Sequence, residues 1–294
     1  RFSSDLDTVN TFALRRMKLW VKSAPGFSKN WGYRVQSTIT SNQNEKFFLQ
    51  DVLVYYKTGR FTFNIGQFIP RYSLQRFQPD FEIPLTERAA AIDALIPNGT
   101  LGVRDIGAEI KLESENKRIQ TWVGVFNGYG IKDYRFHNQG ILLTHKAQAN
   151  LTDKRLRIGY SLMYRKADQL NIPKVIPDSV TFSGDDIRMN VFARYKNRNF
   201  HIQAEYLWAK LEDQTADGYY VLAQYNWNKN QLVASWNQYT DLTDATTDIP
   251  VVQVGYNYAF KGDKLKLMLD NGFRIDGRNS THYLTTIQLQ LFFN

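Results

Sequence analysis

Four arginines lie within the one long interruption of the chain's regular pattern. The stretch Pro70–Arg104 contains Arg71, Arg76, Arg88 and Arg104 but no lysine. An arginine side chain carries a planar fork of donors that matches a phosphate or carboxylate group in a bidentate way. Four such side chains in one segment indicate that the segment binds or guides anions. The alternative is a surface lid whose arginines are structural.

The segments on either side of Pro70–Arg104 contain further cations. Polar and apolar residues alternate in these segments. The cations on the polar side of this alternation include Arg16, Lys18, Arg34, Lys146, Arg157, Arg188, Arg194 and Lys266. Fewer carboxylates share that side: Asp51, Glu109, Glu113, Glu205 and Asp270. A channel lined mainly by arginine and lysine favours anions. The alternative is pairing of these charges within the wall, which we expect for Lys111 and its acidic neighbours.

The segments that carry these cations have the period of a β-strand. In 187–195, the apolar side chains Ile187, Met189 and Val191 alternate with Arg188 and Asn190. A period of two with one apolar face predicts a sheet between two different solvents. Tight turns alternate along the chain with longer connections, among which we place 211–217. Short connections on one side and long ones on the other are typical of an up-and-down outer-membrane barrel.

We therefore predict an all-β fold, a transmembrane antiparallel up-and-down β-barrel that forms a single domain over residues 1–294. The pattern shows about fifteen strands, the first being Thr11–Lys22. An even number needs one more strand ahead of it, which would end at Arg1-Phe2, so we predict sixteen. Sixteen strands leave room for an aqueous channel. Pro70–Arg104, with a short helical pattern between Pro84 and Pro97, is predicted to fold inward and narrow that channel.

The composition agrees with strands that are apolar on one face. The hydrophobic content is 43%, yet the mean hydropathy is −0.44, so apolar residues are interleaved with polar ones. No run approaches the roughly 18 consecutive apolar residues of a transmembrane helix. Cysteine is absent and the formal net charge is +9, which indicates anionic partners. The chain opens at Arg1 without a signal peptide, as expected of a processed product.

Enzyme chemistry has little support in the sequence. The four histidines, His137, His145, His201 and His282, do not have the spacing of metal ligands, and no serine lies in a Gly-x-Ser-x-Gly context. We predict no catalytic residues, no metal and no cofactor. A hydrolase in the barrel wall that uses His145 with a nearby serine or asparagine is left as an alternative. A nucleic-acid binder would also be basic, but it would not need an apolar face on every strand.

Several short motifs resemble a known family when they are taken together. They occur in the order expected for the phosphate-selective porin O and P family and extend, more weakly, to the last strand: Phe12–Arg16, Ile65–Pro70, Thr86–Arg88, Arg104–Gly107, Val125–Gly128 and Gln288–Phe293. The Arg-Arg pair, the Gly-Gln-Phe-x-x-Pro strand end and the Arg-Asp-Ile-Gly strand start are fairly specific as a set.

The resemblance implies a sixteen-stranded porin in the outer membrane of a Gram-negative bacterium, in contact with its lipid and lipopolysaccharide and usually a homotrimer. It also implies an inward-folded loop, whose place Pro70–Arg104 takes, and cationic residues that guide anions. The function expected is passive diffusion of small hydrophilic solutes with a preference for inorganic or small organic anions, including phosphate or polyphosphate. The alternatives are a non-conducting barrel that serves as a structural or assembly partner, and a soluble β-sandwich with a basic groove.

Overall fold

The described strands form one antiparallel sheet. The computed structural model describes residues 2–4, 11–12, 17–40, 46–96, 104–130, 141–170, 181–240, 248–276 and 279–293. The strands are β1 (Phe2–Ser4), β2 (Thr11–Phe12), β3 (Met17–Ser23), β4 (Trp31–Thr40), β5 (Lys46–Thr58), β6 (Phe61–Phe68), β7 (Asp105–Glu113), β8 (Ile119–Phe126), β9 (Leu142–Leu151), β10 (Leu156–Leu170), β11 (Phe182–Lys196), β12 (Phe200–Leu211), β13 (Gln214–Trp227), β14 (Asn230–Thr240), β15 (Asp248–Asp263), β16 (Leu265–Asp276) and β17 (Asn279–Leu291).

The strands follow one another around a barrel. The fifteen strands from β3 to β17 each pair with the next in the chain. The short strand β1 pairs with both β17 and β2, with Phe2 opposite Ile287 and Phe12. The predicted strand ahead of Thr11–Lys22 is thus present, and the count is roughly consistent with sixteen. Residues 13–16 lie outside the described residues, and the described pairings do not close the sheet there.

The two faces of the sheet differ as the alternation predicted. On β11, Met189 and Val191 are 46% and 51% exposed. Arg188 and Asn190, which alternate with them along the strand, are buried. Successive side chains of a strand point to opposite faces, so the exposed apolar residues form the outside of the barrel. Exposed Leu, Ile, Val and aromatic side chains recur on the outer face of strand after strand. The outer surface is therefore built for an apolar solvent.

The two ends of the barrel carry different connections. One end, here named the short-turn end, carries the tight turns such as Gly59-Arg60 and Asn197–Asn199. The opposite ends of the strands are here named the long-loop end, and much of its longer connections lies outside the described residues. The predicted longer connection 211–217 is wrong, because β12 and β13 are joined by a tight turn at Glu212-Asp213. The polar run after Leu211 misled the prediction, since backbone pairing continues through it to the end of the strands.

Residues 70–104 are here named the inner loop. The described part of this segment, residues 70–96 and 104, folds into the barrel, and residues 97–103 lie outside the described residues. The described part contains two 3-10 turns, Gln75–Phe77 and Asp80–Glu82, and the helix α1 (Ala90–Leu95), which confirms the predicted helical pattern. Ile92 and Leu95 of α1 are buried and belong to an apolar core between the inner loop and the barrel wall. The wall contributes to this core Leu207, Leu222, Val233 and Tyr220. Within the described part of the chain, no helix has the length and apolarity needed to cross a membrane.

The outward face of β11 provides a test of the lipid-facing surface. We expect Val191→Arg to lower the free energy of unfolding in phospholipid vesicles by about 2–4 kcal/mol, because a charge near the middle of the lipid-facing band is poorly solvated. A urea titration in vesicles measures the change. Ser23→Arg, at an exposed position on the end of β3, is the control and should cost at most about 1 kcal/mol. Equal losses in both variants would contradict a lipid-facing middle.

Candidate functional site

The carboxylate of Glu205 holds the start of the inner loop near the middle of the barrel. Glu205 lies halfway along β12 and is 2% exposed. It accepts hydrogen bonds from Ser73 Oγ at 2.8 Å and from the backbone N–H groups of Leu74 and Gln75 at 2.8 and 2.6 Å. Two wall side chains donate to the same carboxylate, Asn190 and Tyr220. Hydrogen bonds to a charged group contribute about 1.5–3 kcal/mol each, so this carboxylate is a strong anchor.

Neighbouring strands hold the same turn from other directions. Ser73 has a φ of +70°, a conformation that costs energy in a residue other than glycine. Lys146 Nζ donates to the Ser73 carbonyl oxygen at 2.5 Å, and Ser73 N–H donates to Ser161 Oγ at 3.2 Å. Tyr72 Oη donates to the Met189 carbonyl oxygen at 2.8 Å. Strands β9 to β12 thus fix the first part of the inner loop.

Strands β15 and β16 hold the second part of the inner loop. Asn257 Nδ2 on β15 donates to the Pro84 carbonyl oxygen at 2.7 Å. The N–H of Thr86 donates to the carboxylate of Asp270 on β16. The inner loop is therefore attached to two separate parts of the wall, β9 to β12 and β15 with β16.

The tip of the inner loop lies at the short-turn end. The ring of Phe81 lies against that of Phe292 with centroids 4.0 Å apart, and Phe292 stacks on Trp20 at 5.3 Å. Gln290 Nε2 donates to the carbonyl oxygens of both Phe81 and Asp263 at 3.1 Å. Because Asp263 is the last residue of β15 at the short-turn end, the inner loop spans the barrel nearly from end to end.

Arg71 forms an ion pair and an aromatic contact. Its Nε lies 3.3 Å from the buried carboxylate of Glu109 on β7. Its guanidinium lies over the ring of Phe77 at 3.9 Å and beside Trp122 at 5.3 Å. With its side chain 28% exposed, Arg71 remains accessible from the lumen.

Arg88 and Arg104 maintain the loop's own structure. Arg88 binds the carboxylate of Asp80 at 2.8 Å and the carbonyl oxygen of Gln78 at 3.0 Å, which ties two parts of the inner loop together. Arg104 Nε donates to Asp51 on β5 at 2.9 Å, and both side chains are buried. These two arginines therefore have structural roles. The sequence left this open as an alternative, in which Pro70–Arg104 is a lid whose arginines are structural.

Arg76 is buried without such partners. The residue is 7% exposed, and among the described residues no acceptor lies within hydrogen-bonding distance of its Nε and Nη2. Burial, with Arg88 and Arg104 nearby, lowers the pKa of the Arg76 guanidinium to about 9. The side chain therefore remains charged at neutral pH, and its charge is offset only in part, by Asp93 and Asp80.

Most of the predicted wall cations are occupied by internal contacts. Lys146 binds Ser73 as described, and Arg188 Nη1 donates to the Leu95 carbonyl oxygen at 2.7 Å; both are covered by the inner loop. Three others pair with carboxylates: Lys18 with Asp80, Arg34 with Asp51 at 3.1 Å and Lys266 with Asp263 at 3.2 Å. Arg16 lies outside the described residues.

Arg157 and Arg194 form the exception. They stand directly opposite each other on β10 and β11 and are half-buried. Arg157 Nε donates to Asn150 Oδ1 at 2.9 Å. In the ranges that the structure describes, neither guanidinium has a carboxylate within 4 Å, although Glu82 of the inner loop acts on both at longer range.

The inward-facing carboxylates are far less accessible than these two arginines. Four of them are at most 7% exposed, namely Asp51, Glu109, Glu205 and Asp270. The pairing expected for Lys111 is confirmed, since its Nζ lies 2.6 Å from Glu113 on the same strand. No group of three or more potential metal ligands occurs in the described part of the chain.

The anchoring role of Glu205 was not predicted. The alternation placed this carboxylate inside the barrel, but its partner Ser73 is 132 positions away, and no local signal connects the two. The same holds for the contact of Phe81 with Phe292. The only sequence signal for the role of Glu205 was that the alternation directs its side chain to the inside of the barrel.

The strands from β3 to β17 are apolar on the outside and mostly polar on the inside, and a folded segment lies within the barrel. This combination defines an outer-membrane channel barrel. The chain belongs to the Phosphate-selective porin O and P family, which it matches over residues 2–282. The predicted family and the location in the outer membrane are thereby confirmed, and porins as a class are channels, not enzymes. No curated protein matches the chain in sequence.

Solved structures of outer-membrane porins share the fold. OmpT of Vibrio cholerae in its trimer form is 14% identical with a TM-score of 0.64, over 98% of this chain and 91% of that one. OmpF of Salmonella typhi in complex with daunomycin is 11% identical with a TM-score of 0.66, over 98% and 93%. An anion-selective porin from Comamonas acidovorans is 10% identical with a TM-score of 0.67, over 92% and 87%.

Loss of the Glu205 carboxylate should release the first part of the inner loop. We expect Glu205→Gln to increase the hydrogen-exchange rate of the Leu74 and Gln75 amides by roughly thirtyfold, which corresponds to a loss of about 2 kcal/mol. Hydrogen exchange followed by mass spectrometry measures the change. Glu113→Gln is the matched control, because Glu113 faces inward but contacts Lys111 and Gln120 and not the inner loop. Unchanged exchange of these two amides in Glu205→Gln would contradict the anchoring role of Glu205.

The position of the tip can be tested by cross-linking, since the chain contains no cysteine. We expect the pair Phe81→Cys and Phe292→Cys to cross-link on oxidation, because the two rings are in contact. Phe81→Cys with Phe200→Cys is the control, since Phe200 is exposed on the outside of β12. Reducing and non-reducing gels of the folded barrel distinguish the pairs. Equal cross-linking of both pairs would contradict a tip fixed at the short-turn end.

Proposed function

We propose that this porin lets small hydrophilic solutes diffuse passively across the outer membrane and that it prefers anions, phosphate and polyphosphate among them. The observation that supports the preference is an asymmetry between the charges of the lumen. The carboxylates of the wall are buried by the inner loop or bound by wall cations, whereas Arg157 and Arg194 stay accessible and have no ion pair among the described residues. An anion entering the lumen thus meets positive charge that Glu82 of the inner loop offsets at longer range but that no described ion pair neutralises.

The inner loop adds two further cations to this proposal. Arg71 is accessible beside an aromatic surface of Phe77 and Trp122, along which a solute can pass. Arg76 carries a poorly compensated charge in the interior, so an anion that approaches it is stabilised. Arg88 and Arg104 act in the proposal by keeping the inner loop folded, and the wall cations Lys146 and Arg188 by holding it in place.

The partners we propose follow from the family and its setting. They are inorganic or small organic anions in the lumen and outer-membrane lipid with lipopolysaccharide around the barrel. The trimer form of the similar OmpT supports the proposal that this chain is also a homotrimer. We further propose that residues 1–294 act as one domain, since the described strands belong to one sheet.

A second function is favoured by a specific observation. The inner loop is attached to β9–β12 and to β15 with β16, and it reaches the short-turn end, where Phe81 packs on Phe292. Such a segment fills much of the lumen, which is the arrangement expected of a non-conducting barrel that serves as a structural or assembly partner. Conductance of the purified protein in a planar bilayer distinguishes the two functions.

The reversal potential under a KCl gradient tests the anion preference. We expect the native protein to conduct and to favour chloride. In the double variant Arg157→Gln/Arg194→Gln the chloride-to-potassium permeability ratio should fall by about fivefold, since a unit charge at about 4 Å in water is worth about 1 kcal/mol. Folding should be unchanged, because neither guanidinium binds the inner loop.

The control removes two charges outside the lumen. Lys29→Gln/Arg118→Gln changes exposed residues of two short turns and should leave the permeability ratio close to the native value. An equal effect of both double variants would show that overall charge, not the lumen pair, sets the preference. A folded barrel without any conductance would favour the structural role.

A further inference from the structure

A cavity of about 390 Å³ lies at the short-turn end, between the tip of the inner loop and the wall. The inner loop contributes Glu82 and Pro84, and the wall contributes the lower parts of β11 to β16 with their turns. This volume falls within the usual range for small-molecule sites. The wall residues that anchor the inner loop and the arginine pair Arg157 and Arg194 are not among its lining residues.

The lining of this cavity is rich in carboxamides. Five line it: Asn197, Gln224, Asn226, Asn228 and Gln231. A carboxamide both donates and accepts hydrogen bonds, as a sugar hydroxyl does. Gln224 Nε2 donates to Asn226 Oδ1 at 2.6 Å, Gln231 Oε1 accepts from Asn257 at 3.3 Å, and Asn197 Oδ1 accepts from the Phe200 N–H at 2.7 Å. Four of the five are therefore held in place before any ligand arrives.

Cations stand beside the amides. Lys196, Arg198 and Lys229 line the cavity and are exposed. Within the described ranges, none of the three has a carboxylate within 4 Å. The cavity's fourth cation, Lys266, is buried and bound to Asp263 at 3.2 Å. Two carboxylates, Glu82 and Asp263, also line the cavity, and Asp263 is paired with Lys266. One anionic group of a ligand therefore meets three cations that have no ion-pair partner among the described residues.

We propose that this cavity binds a monosaccharide that carries one phosphate or carboxylate group. The cations take the anionic group and the amides take the hydroxyls. Inorganic phosphate would use the cations alone and leave the row of amides without a role, whereas a neutral sugar would leave the cations without one. The proposal rests on the proposed anion channel, because the cavity lies where the lumen opens at the short-turn end.

Calorimetry on the folded barrel in detergent tests the proposal. Glucose 6-phosphate and gluconate are titrated separately. Inorganic phosphate and glucose are the comparison ligands, because each represents one half of the proposed ligand. We expect at least one of the two sugar anions to bind tenfold or more tightly than either half. Binding of glucose 6-phosphate alone identifies a phosphorylated sugar, and binding of gluconate alone a carboxylated one. Equal binding of inorganic phosphate would overturn the sugar specificity.

Two variants locate the binding. Lys196→Gln/Lys229→Gln should weaken the sugar anion by about tenfold, and Asn226→Ala should weaken it while leaving inorganic phosphate unchanged. Lys29→Gln, on another short turn, is the control and should bind normally. Heat-modifiable migration on gels verifies that each variant is folded. Native affinity in the double lysine variant would place the binding elsewhere and overturn the proposal.

The outcome is separable from that of the channel function, since calorimetry does not require conduction. If the barrel binds the sugar anion but does not conduct, the result supports the binding site and contradicts the channel function. The barrel could instead conduct anions but bind neither glucose 6-phosphate nor gluconate in preference to inorganic phosphate. That result contradicts the binding site alone.

Discussion

The structure depends on the buried carboxylate of Glu205. A sheet of this many strands encloses a wide lumen, and a segment that enters it must replace the water bonds of its backbone with bonds to the wall. Glu205 does this for the turn at Ser73 by accepting from its hydroxyl and from the next two N–H groups. Further anchors follow on both sides, and an apolar core under α1 completes the attachment.

The same requirement determines which charges remain available to a solute. Carboxylates of the wall serve as acceptors for the inner loop or as partners of cations, so they are buried. Cations such as Lys146 and Arg188 donate to carbonyl oxygens of the loop and are buried with it. The positive charge of the lumen is therefore concentrated in a few places, chiefly Arg157 with Arg194 and the cations of the short-turn end. The net charge of +9 does not by itself indicate these places.

Prediction from the sequence succeeded where the signal is local. The alternation on β11 correctly separated Val191 from Arg188, and the residues between Pro84 and Pro97 indicated a helix that exists as α1. It failed at 211–217, because polar residues near a strand end resemble a loop although their backbone continues the ladder. The roles of the individual arginines stay predictions, since an arginine that guides a solute and one that binds Asp51 have the same sequence signature.

The sequence by itself determined the sheet, the direction of its side chains, the segment that interrupts it and the family. These features depend on residues close to one another in the chain, because strand period and turn chemistry act over a few positions. Only the tertiary structure decided that Glu205 meets Ser73, that Phe81 meets Phe292 and that amides and cations share a cavity at the short-turn end. Those contacts join distant residues, and their partners are selected by the curvature of the barrel and the path of the inner loop.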